Sequence, residues 1–88
     1  MKTIHKFSLE VTDTQQINIP KDAEILSAQL QIGDLCVWVK LDSSAPTRPC
    51  TIKIHGTGHQ VDPDLDLRFI DTVQLAGRVL VFHVFYVA

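Results

Sequence analysis

Regular alternation of apolar and polar residues is the feature that most restricts what this chain can fold into. It is clearest in "ILSAQLQI", "LCVWVKL" and "CTIKIH", where every second side chain is apolar or thiol-bearing. A period of two residues is typical of a β-strand with one buried face, and no segment carries a convincing amphipathic-helix stripe. The pattern therefore predicts an all-β protein.

Turn signals divide the chain into six or seven short predicted strands. The segments are 3–10, 15–19, 25–32, 35–41, 50–55, 67–75 and 78–88. "GD" at 33–34 is a tight-turn signal, so 25–41 is predicted to form a hairpin. Short strands at this spacing indicate a compact antiparallel sandwich or small barrel, and 88 residues suffice for one domain, 1–88.

The alternation also predicts which side chains share a face. Ile4 is out of phase with its neighbours, which indicates an edge strand or a bulge. Ala76 and Gly77 are expected to turn the chain into a final strand that is apolar on both faces and is therefore either central in its sheet or covered by a second layer. The residues predicted to share an apolar face within their own strands are Phe7, Leu9 and Val11; Ile17 and Ile19; Leu26, Ala28, Leu30 and Ile32; Leu35, Val37, Val39 and Leu41; Cys50, Ile52 and Ile54; and Leu67, Phe69, Val73 and Leu75.

Charge and hydropathy narrow the class of protein. Eight basic and ten acidic residues give a net charge of −2, which argues against a binder of nucleic-acid polymers. The C-terminal "VLVFHVFYVA" is too short to cross a membrane as a helix, and "MKTIHKFSLE" lacks the apolar stretch of a secretion signal. We therefore expect a cytoplasmic protein without a membrane partner, and two reduced cysteines, Cys36 and Cys50.

Five segments taken in order, "MKTIHKF", "IPKDAEILSAQ", "LCVWVKLD", "IKIHGTGH" and "VLVFHVF", resemble a family of small uncharacterised phage, prophage and bacterial proteins. The resemblance covers nearly the whole chain, and its most specific pieces are the "GTGH" loop and the closing "VFHVF" strand. The family carries no known activity. It implies a setting, the host cytoplasm if the protein is phage-encoded, in which small viral proteins blunt host immunity.

The loop His55-Gly56-Thr57-Gly58-His59 is the strongest candidate binding element. Its glycines allow positive φ, so that consecutive amides could converge on an anion, while Thr57 and both histidines add donors. The alternative interpretation is an ordinary glycine turn whose histidines are solvated or cap the backbone.

Three further side chains could complete a nucleotide pocket around this loop. Lys53 and Arg68 lie on polar phases and could pair with phosphates, and Trp38 could stack on a base. Trp38 could equally fill a second core layer or an oligomer interface.

Catalytic and metal-binding motifs are weak, so we expect no enzyme, no metal and no cofactor. "HGT" is one histidine-x-threonine element without the second that a two-histidine phosphoesterase requires. The histidines and cysteines lack the spacing of a metal site.

Two functions are favoured over a third, a small enzyme that acts on phosphoesters. The first is a non-enzymatic binding protein that sequesters an anionic signalling molecule, such as a cyclic or NAD-derived nucleotide. The second is a protein-interaction module, such as an inhibitor of a host protein or a minor virion component, without a small-molecule ligand. The apolar last strand also favours a homo-oligomer.

Overall fold

The chain folds into seven strands with no helix among the described residues, as the alternation predicts. The computed structural model describes residues 1–75, 77 and 79–88. The strands are β1 (Lys2–Ser8), β2 (Thr14–Pro20), β3 (Glu24–Gln31), β4 (Asp34–Asp42), β5 (Thr47–Gly56), β6 (Leu67–Leu75) and β7 (Leu80–Val87).

The strands form two antiparallel sheets packed as a sandwich rather than a closed barrel. One sheet has three strands in the order β1-β4-β3, and the other has four in the order β2-β5-β7-β6. β7 lies between β5 and β6, which confirms the central position, one of the two alternatives predicted for it. In the turn predicted before β7, Gly77 has a φ of 67°. Ala76, the other residue of that turn, lies outside the described residues, and so does Arg78, the first residue of the predicted last strand.

The core lies between the sheets and is built largely from the predicted faces of β2, β4 and β5. Its most buried side chains, Val37, Val39, Ile52 and Val84, have no exposed surface. The remaining confirmed core residues are Ile17, Ile19, Leu35, Leu41 and Ile54, with Ala28 from β3, Leu9 after β1 and Val73 from β6.

The β3–β4 hairpin forms where it was predicted, but the predicted phase of β3 is wrong at both ends. Ile32 and Gly33 make the turn with φ of 49° and 83°, the two positive values that suit a tight hairpin, so Ile32 is 99% exposed rather than buried. A bulge between Ile25 and Ser27 reverses the alternation. Leu26 consequently points outward, and Ile25 packs against the core instead.

A second bulge, between Phe69 and Asp71, reverses the alternation within β6. Phe69 pairs with Phe85 and is 61% exposed, while Val73 is buried, so the prediction that both share the core face is wrong. The bulge brings the Asp71 carboxylate to β3, where Oδ2 accepts hydrogen bonds from the Gln29 side chain at 2.9 Å and from the Ala28 amide at 3.4 Å. Asp71 thus links the two sheets along one side of the sandwich.

The first strand is an edge strand, which explains the phase of Ile4. β1 pairs with β4 alone, and Ile4 is exposed on it. Phe7 and Leu9 pack on the core as predicted, but Val11 lies beyond the end of β1 and is exposed, so its predicted inward position is wrong.

Candidate functional site

The histidine-glycine loop begins at the last residue of β5 and passes beside β7. Lys53 and His55 lie on the outer face of the four-stranded sheet, because their neighbours Ile52 and Ile54 fill the core. His55 pairs with His83 of β7 across the ladder. The loop therefore sits at one end of an outer sheet face and not over the core.

Hydrogen bonds within the protein occupy most of the amides that were expected to face an anion. The Gly56 amide donates to Nδ1 of His59 at 3.3 Å, and the His59 amide donates to the Gly56 carbonyl at 3.1 Å. The Thr57 amide donates to the Val81 carbonyl at 3.4 Å. Only Gly58 has a positive φ in the loop, 88°, and this suits a turn. The geometry therefore favours a self-contained turn over an anion-binding nest.

His59 folds back over Gly56, which explains why a glycine stands there. A methyl group added at Gly56 would lie 2.8 Å from Cε1 of the His59 ring. Glycine thus permits the close approach in which Nδ1 of His59 accepts a hydrogen bond from the Gly56 amide. In this arrangement Nδ1 of His59 is engaged with the loop itself.

Thr57 and His83 form a polar cluster with Thr72 of β6. The Thr57 hydroxyl lies 2.8 Å from Nε2 of His83, and the Thr72 hydroxyl lies 3.0 Å from Nδ1 of the same ring. Both ring nitrogens of His83 are therefore partnered, and hydroxyl groups can donate or accept to suit either tautomer. Beside them His55 makes an edge contact with Phe85, with ring centroids 6.0 Å apart, and its Nε2 is buried without a hydrogen-bond partner.

Trp38 and Arg68 do not join this loop. Trp38 lies on β4 between Val37 and Val39, both fully buried, so it points away from the core on the outer face of the other sheet. It is therefore on the opposite side of the sandwich from Lys53. The stacking and phosphate roles proposed for these side chains remain predictions, but the structure does not bring them into one pocket.

Arg68 has its own anionic partner. Its Nε and Nη2 each donate to one carboxylate oxygen of Asp66 at 3.0 Å. These hydrogen bonds, reinforced by the opposite charges, raise the pKa of Arg68 and lower the pKa of Asp66. Arg68 also pairs with Tyr86 across the ladder, which places it on the other phase from Phe69 and Phe85.

A larger concavity, missed by sequence reasoning, opens at the end of the sandwich where β2 and β7 finish and β3 and β5 begin. We call it the inter-sheet cleft; its volume is about 780 Å³. Its apolar lining includes Ile19, Pro20, Ala23 and Ile25. The cleft is thus an exposed continuation of the space between the two sheets.

Two cations and an aromatic ring border this cleft. Arg48 continues the inward phase of β5, two residues before Cys50 and four before Ile52, but it lies beyond the end of the core and is exposed. Lys21 follows Pro20 at the end of β2, and Tyr86 pairs with Ile52 and so lies on the inward phase of β7. Because Arg48 is exposed at the mouth of the cleft, its guanidinium group is accessible to an anion that enters there.

The charged side chains that line the cleft are Lys21, Arg48 and Glu24. Lys21 and Arg48 make no ion pair with any residue in the described part of the chain, whereas Glu24 is 3.6 Å from Lys40. Burial raises the pKa of the Cys50 thiol, and the positive charge of Arg48 offsets this in part. The thiol is consequently protonated near neutral pH.

A sequence signal for this site existed. The alternation of Cys50, Ile52 and Ile54 extends backwards to Arg48, but "SAPTRP" has the composition of a polar loop and was interpreted as one. The structure instead begins β5 at Thr47, pairing Arg48 with Ile19. The pairing of β2 with β5 shows that Arg48 belongs to the strand and not to the preceding loop.

Other kinds of site find little support in the described residues. No group of three or more histidine, cysteine, aspartate or glutamate side chains within 1–75, 77 and 79–88 is placed to hold a metal ion. Cys36 is buried and Cys50 half-buried, and both are free thiols. The described portion of the chain contains no helix of the length and apolarity needed to span a membrane.

Comparison with known proteins yields one match. The family described as "Domain of unknown function (DUF7352)" matches residues 1–88. Neither a curated protein nor a solved structure matches the chain significantly.

Proposed function

The chain belongs to DUF7352, a family whose description names no activity, and from its geometry we propose that it binds a small anionic molecule in the inter-sheet cleft without converting it. The observation that carries this proposal is Arg48 on the inward phase of β5 at the cleft, joined there by Lys21 and free of any ion pair with described residues. The binding function expected from the sequence is retained, and its site moves from the loop to the cleft.

Size and lining suit a ligand with an apolar or planar body. Small-molecule sites commonly have volumes of about 300–1,000 Å³ and combine apolar walls with a few polar groups. The cleft, at about 780 Å³, lies within this range. Ile19, Ala23 and Ile25 can bury the body of such a ligand while Tyr86 offers an aromatic surface for stacking.

The cations define the charged part of the ligand. Arg48 can hold two oxygens of a phosphate or carboxylate with its planar guanidinium, and Lys21 adds a second positive charge. A planar base with one or more phosphates meets both requirements, so a nucleotide-derived signalling molecule is the ligand class that we propose. Its capture in a host cell by a phage-encoded protein is the setting that we propose for it.

The state of Glu24 and Cys50, the other ionisable groups discussed in the cleft, supports binding without turnover. Glu24 is engaged with Lys40, and the Cys50 thiol has a raised pKa that disfavours the nucleophilic thiolate. No activated nucleophile or matched acid and base stands among the described lining residues. These features support our proposal that the cleft holds a molecule without cleaving it.

The test is a panel of linear and cyclic nucleotides, with inorganic phosphate as the minimal anion, monitored by thermal stabilisation and isothermal titration calorimetry. Arg48→Ala and Lys21→Ala should each weaken binding of an active nucleotide by about tenfold, the loss of one charge-assisted contact worth about 1.4 kcal/mol. Lys53→Ala is the matched control, because it removes a lysine from the outer sheet face and should leave the affinity unchanged.

Two results would count against the cleft. A panel in which no compound raises the melting temperature argues against capture of nucleotides altogether. A ligand whose binding is lost in Lys53→Ala or His59→Ala but kept in Arg48→Ala would instead place the site at the loop.

A further inference from the structure

A second surface, on the outer face of the four-stranded sheet, is apolar and exposed. Phe69 and Phe85 are cross-strand partners with ring centroids 5.8 Å apart, and Phe69 is 61% exposed. We call this surface the aromatic face; it comprises Phe69, Phe85, Leu67 and Val81 on β6 and β7, bordered by His55, His83 and Thr72. The binding proposal for the cleft does not use any of these residues.

The polar groups on the aromatic face can be covered at little cost. Both ring nitrogens of His83 already have hydroxyl partners, Thr57 and Thr72, so loss of water would leave no unpaired ring atom on His83. The outer face of the three-stranded sheet differs, because it carries Lys40 paired with Glu24. The aromatic face carries the paired phenylalanines, and Lys53, which pairs with Phe85 on the same face, can keep its ammonium group in solvent at the rim of a contact.

The chain exposes more surface than is typical of a compact monomer of its mass. A monomeric protein of 9.9 kDa has a typical accessible surface of roughly 5,200 Å², whereas this chain has 5811 Å². Its radius of gyration is 13.1 Å, against about 12 Å expected for a compact domain of 88 residues. Both departures reflect a flat molecule with extents of 40 × 34 × 16 Å.

The excess surface is comparable with one side of a protein interface. The difference of roughly 600 Å² approaches the ~800 Å² that each partner buries in an interface of standard size. A patch of ~800 Å² measures about 28 Å on a side, which fits within the 40 × 34 Å breadth of the sandwich. Covering one broad face would bring the exposed surface of the chain below the value typical for its mass.

We propose that the aromatic face binds a second copy of this chain, related by a two-fold axis near Phe69. A two-fold interface uses the same patch on both subunits, so each Phe69 would pack against aromatic rings of the partner. Among the described residues Lys53 brings one positive charge per copy to this face, and its flexible stem lets the two ammonium groups stay apart in solvent. A different protein partner on this face is the competing occupant.

The test compares two glutamate substitutions at similarly exposed apolar positions on opposite sheets. Phe69 is 61% exposed on the aromatic face, and Ile4 is 56% exposed on β1 of the other sheet. Sedimentation velocity over a dilution series should give twice the chain mass of 9.9 kDa for the parent protein and for Ile4→Glu. Phe69→Glu should weaken the dimer by about 100-fold, as expected for an aromatic residue at the centre of an interface.

Controls keep the outcome decisive. Each variant must show the parent's circular dichroism spectrum, and if Phe69→Glu does not fold, Phe69→Cys is used instead. An oxidised Phe69→Cys protein should form a covalent dimer, whereas Ile4→Cys should not. A parent protein that stays monomeric at all concentrations, a Phe69→Glu dimer of parental strength, or a monomer that captures another protein through this face would each overturn the proposal.

Discussion

Replacing Asp71 by alanine should measure how much this side chain, which links the two sheets, contributes to the free energy of unfolding. Its carboxylate accepts hydrogen bonds from the Gln29 side chain, from the Thr72 amide and from the amide of Ala28, a residue with no exposed surface. Asp71→Ala removes the acceptor and leaves the Ala28 amide without this partner. Leaving a buried donor unsatisfied costs about 1–3 kcal/mol.

The magnitude follows from the lengths and the exposure of these three bonds. The Gln29 bond of 2.9 Å and the Thr72 bond of 3.0 Å are exposed and therefore contribute little, and the Ala28 bond of 3.4 Å is long, so the loss should fall near the lower part of that range. We expect Asp71→Ala to lower the free energy of unfolding by about 1.5 kcal/mol, which corresponds to about 6–12 °C in melting temperature for a domain of this size.

Urea unfolding followed by the fluorescence of the single tryptophan, Trp38, measures this loss. Hydrogen exchange of the Ala28 amide gives an independent readout, because its protection should fall in Asp71→Ala. Asp64→Ala is the matched control: its exposed carboxylate accepts no hydrogen bond from a described residue, and its effect should stay within about 0.5 kcal/mol. Equal stability of Asp71→Ala and the parent, or an Ala28 amide that keeps its protection, would refute the argument.

Three further outcomes are expected. Iodoacetamide should label Cys50 slowly and the buried Cys36 not at all, because burial raises the pKa of the Cys50 thiol; mass spectrometry of the native protein would show a contradiction as rapid double labelling. By NMR the pKa of the Asp66 carboxyl should lie below its usual value and should rise in Arg68→Ala. The stability contributed by this pair is therefore present above the unfolded pKa and is lost as the pH falls through the lower folded pKa. An Asp66 pKa that is unchanged in Arg68→Ala would disprove the link. Ile52→Ala should cost about 3 kcal/mol in urea unfolding, since this side chain is fully buried, and a loss below about 1 kcal/mol would show that the core collapses around it.

Much of the fold could be predicted where strands pair without irregularity. β4 alternates through nine residues in the centre of its sheet, and its four predicted core side chains are all buried. The inward residues of β2 and the middle of β5 were predicted equally well. In such strands the pleat alone decides the direction of each side chain, so the pattern of residues is sufficient.

The errors concentrate at the two bulges. A single inserted residue puts the side chains before it out of phase with those after it. This is why Leu26, within one bulge, and Phe69, just before the other, point outward against prediction. No local composition marks either position. In the structure the bulge in β6 accompanies the contact of Asp71 with β3, a contact between residues 43 positions apart.

The candidate site shows the same division. Sequence reasoning gave two interpretations of the loop at Gly56–His59, an anion-binding loop and a turn with histidines that are solvated or cap the backbone. It could not decide between them, because the Val81 carbonyl that accepts the Thr57 amide lies on a strand distant along the chain. It placed Trp38 and Lys53 on outward phases, and both are outward. It had no means of telling that they lie on different sheets.

The amino-acid sequence by itself determined that the chain is all-β and, along regular strands, which side chains turn from water. Successive side chains of a strand point to opposite faces of the sheet, so the alternation of apolar and polar residues along the sequence shows directly which side chains are buried. The tertiary structure alone decided which strands are neighbours, where bulges reverse a face, and that Arg48 and Tyr86 meet at a cleft while Trp38 stands on the far side. Strand pairing joins residues distant along the chain, and its energy depends on contacts that no short stretch of sequence contains.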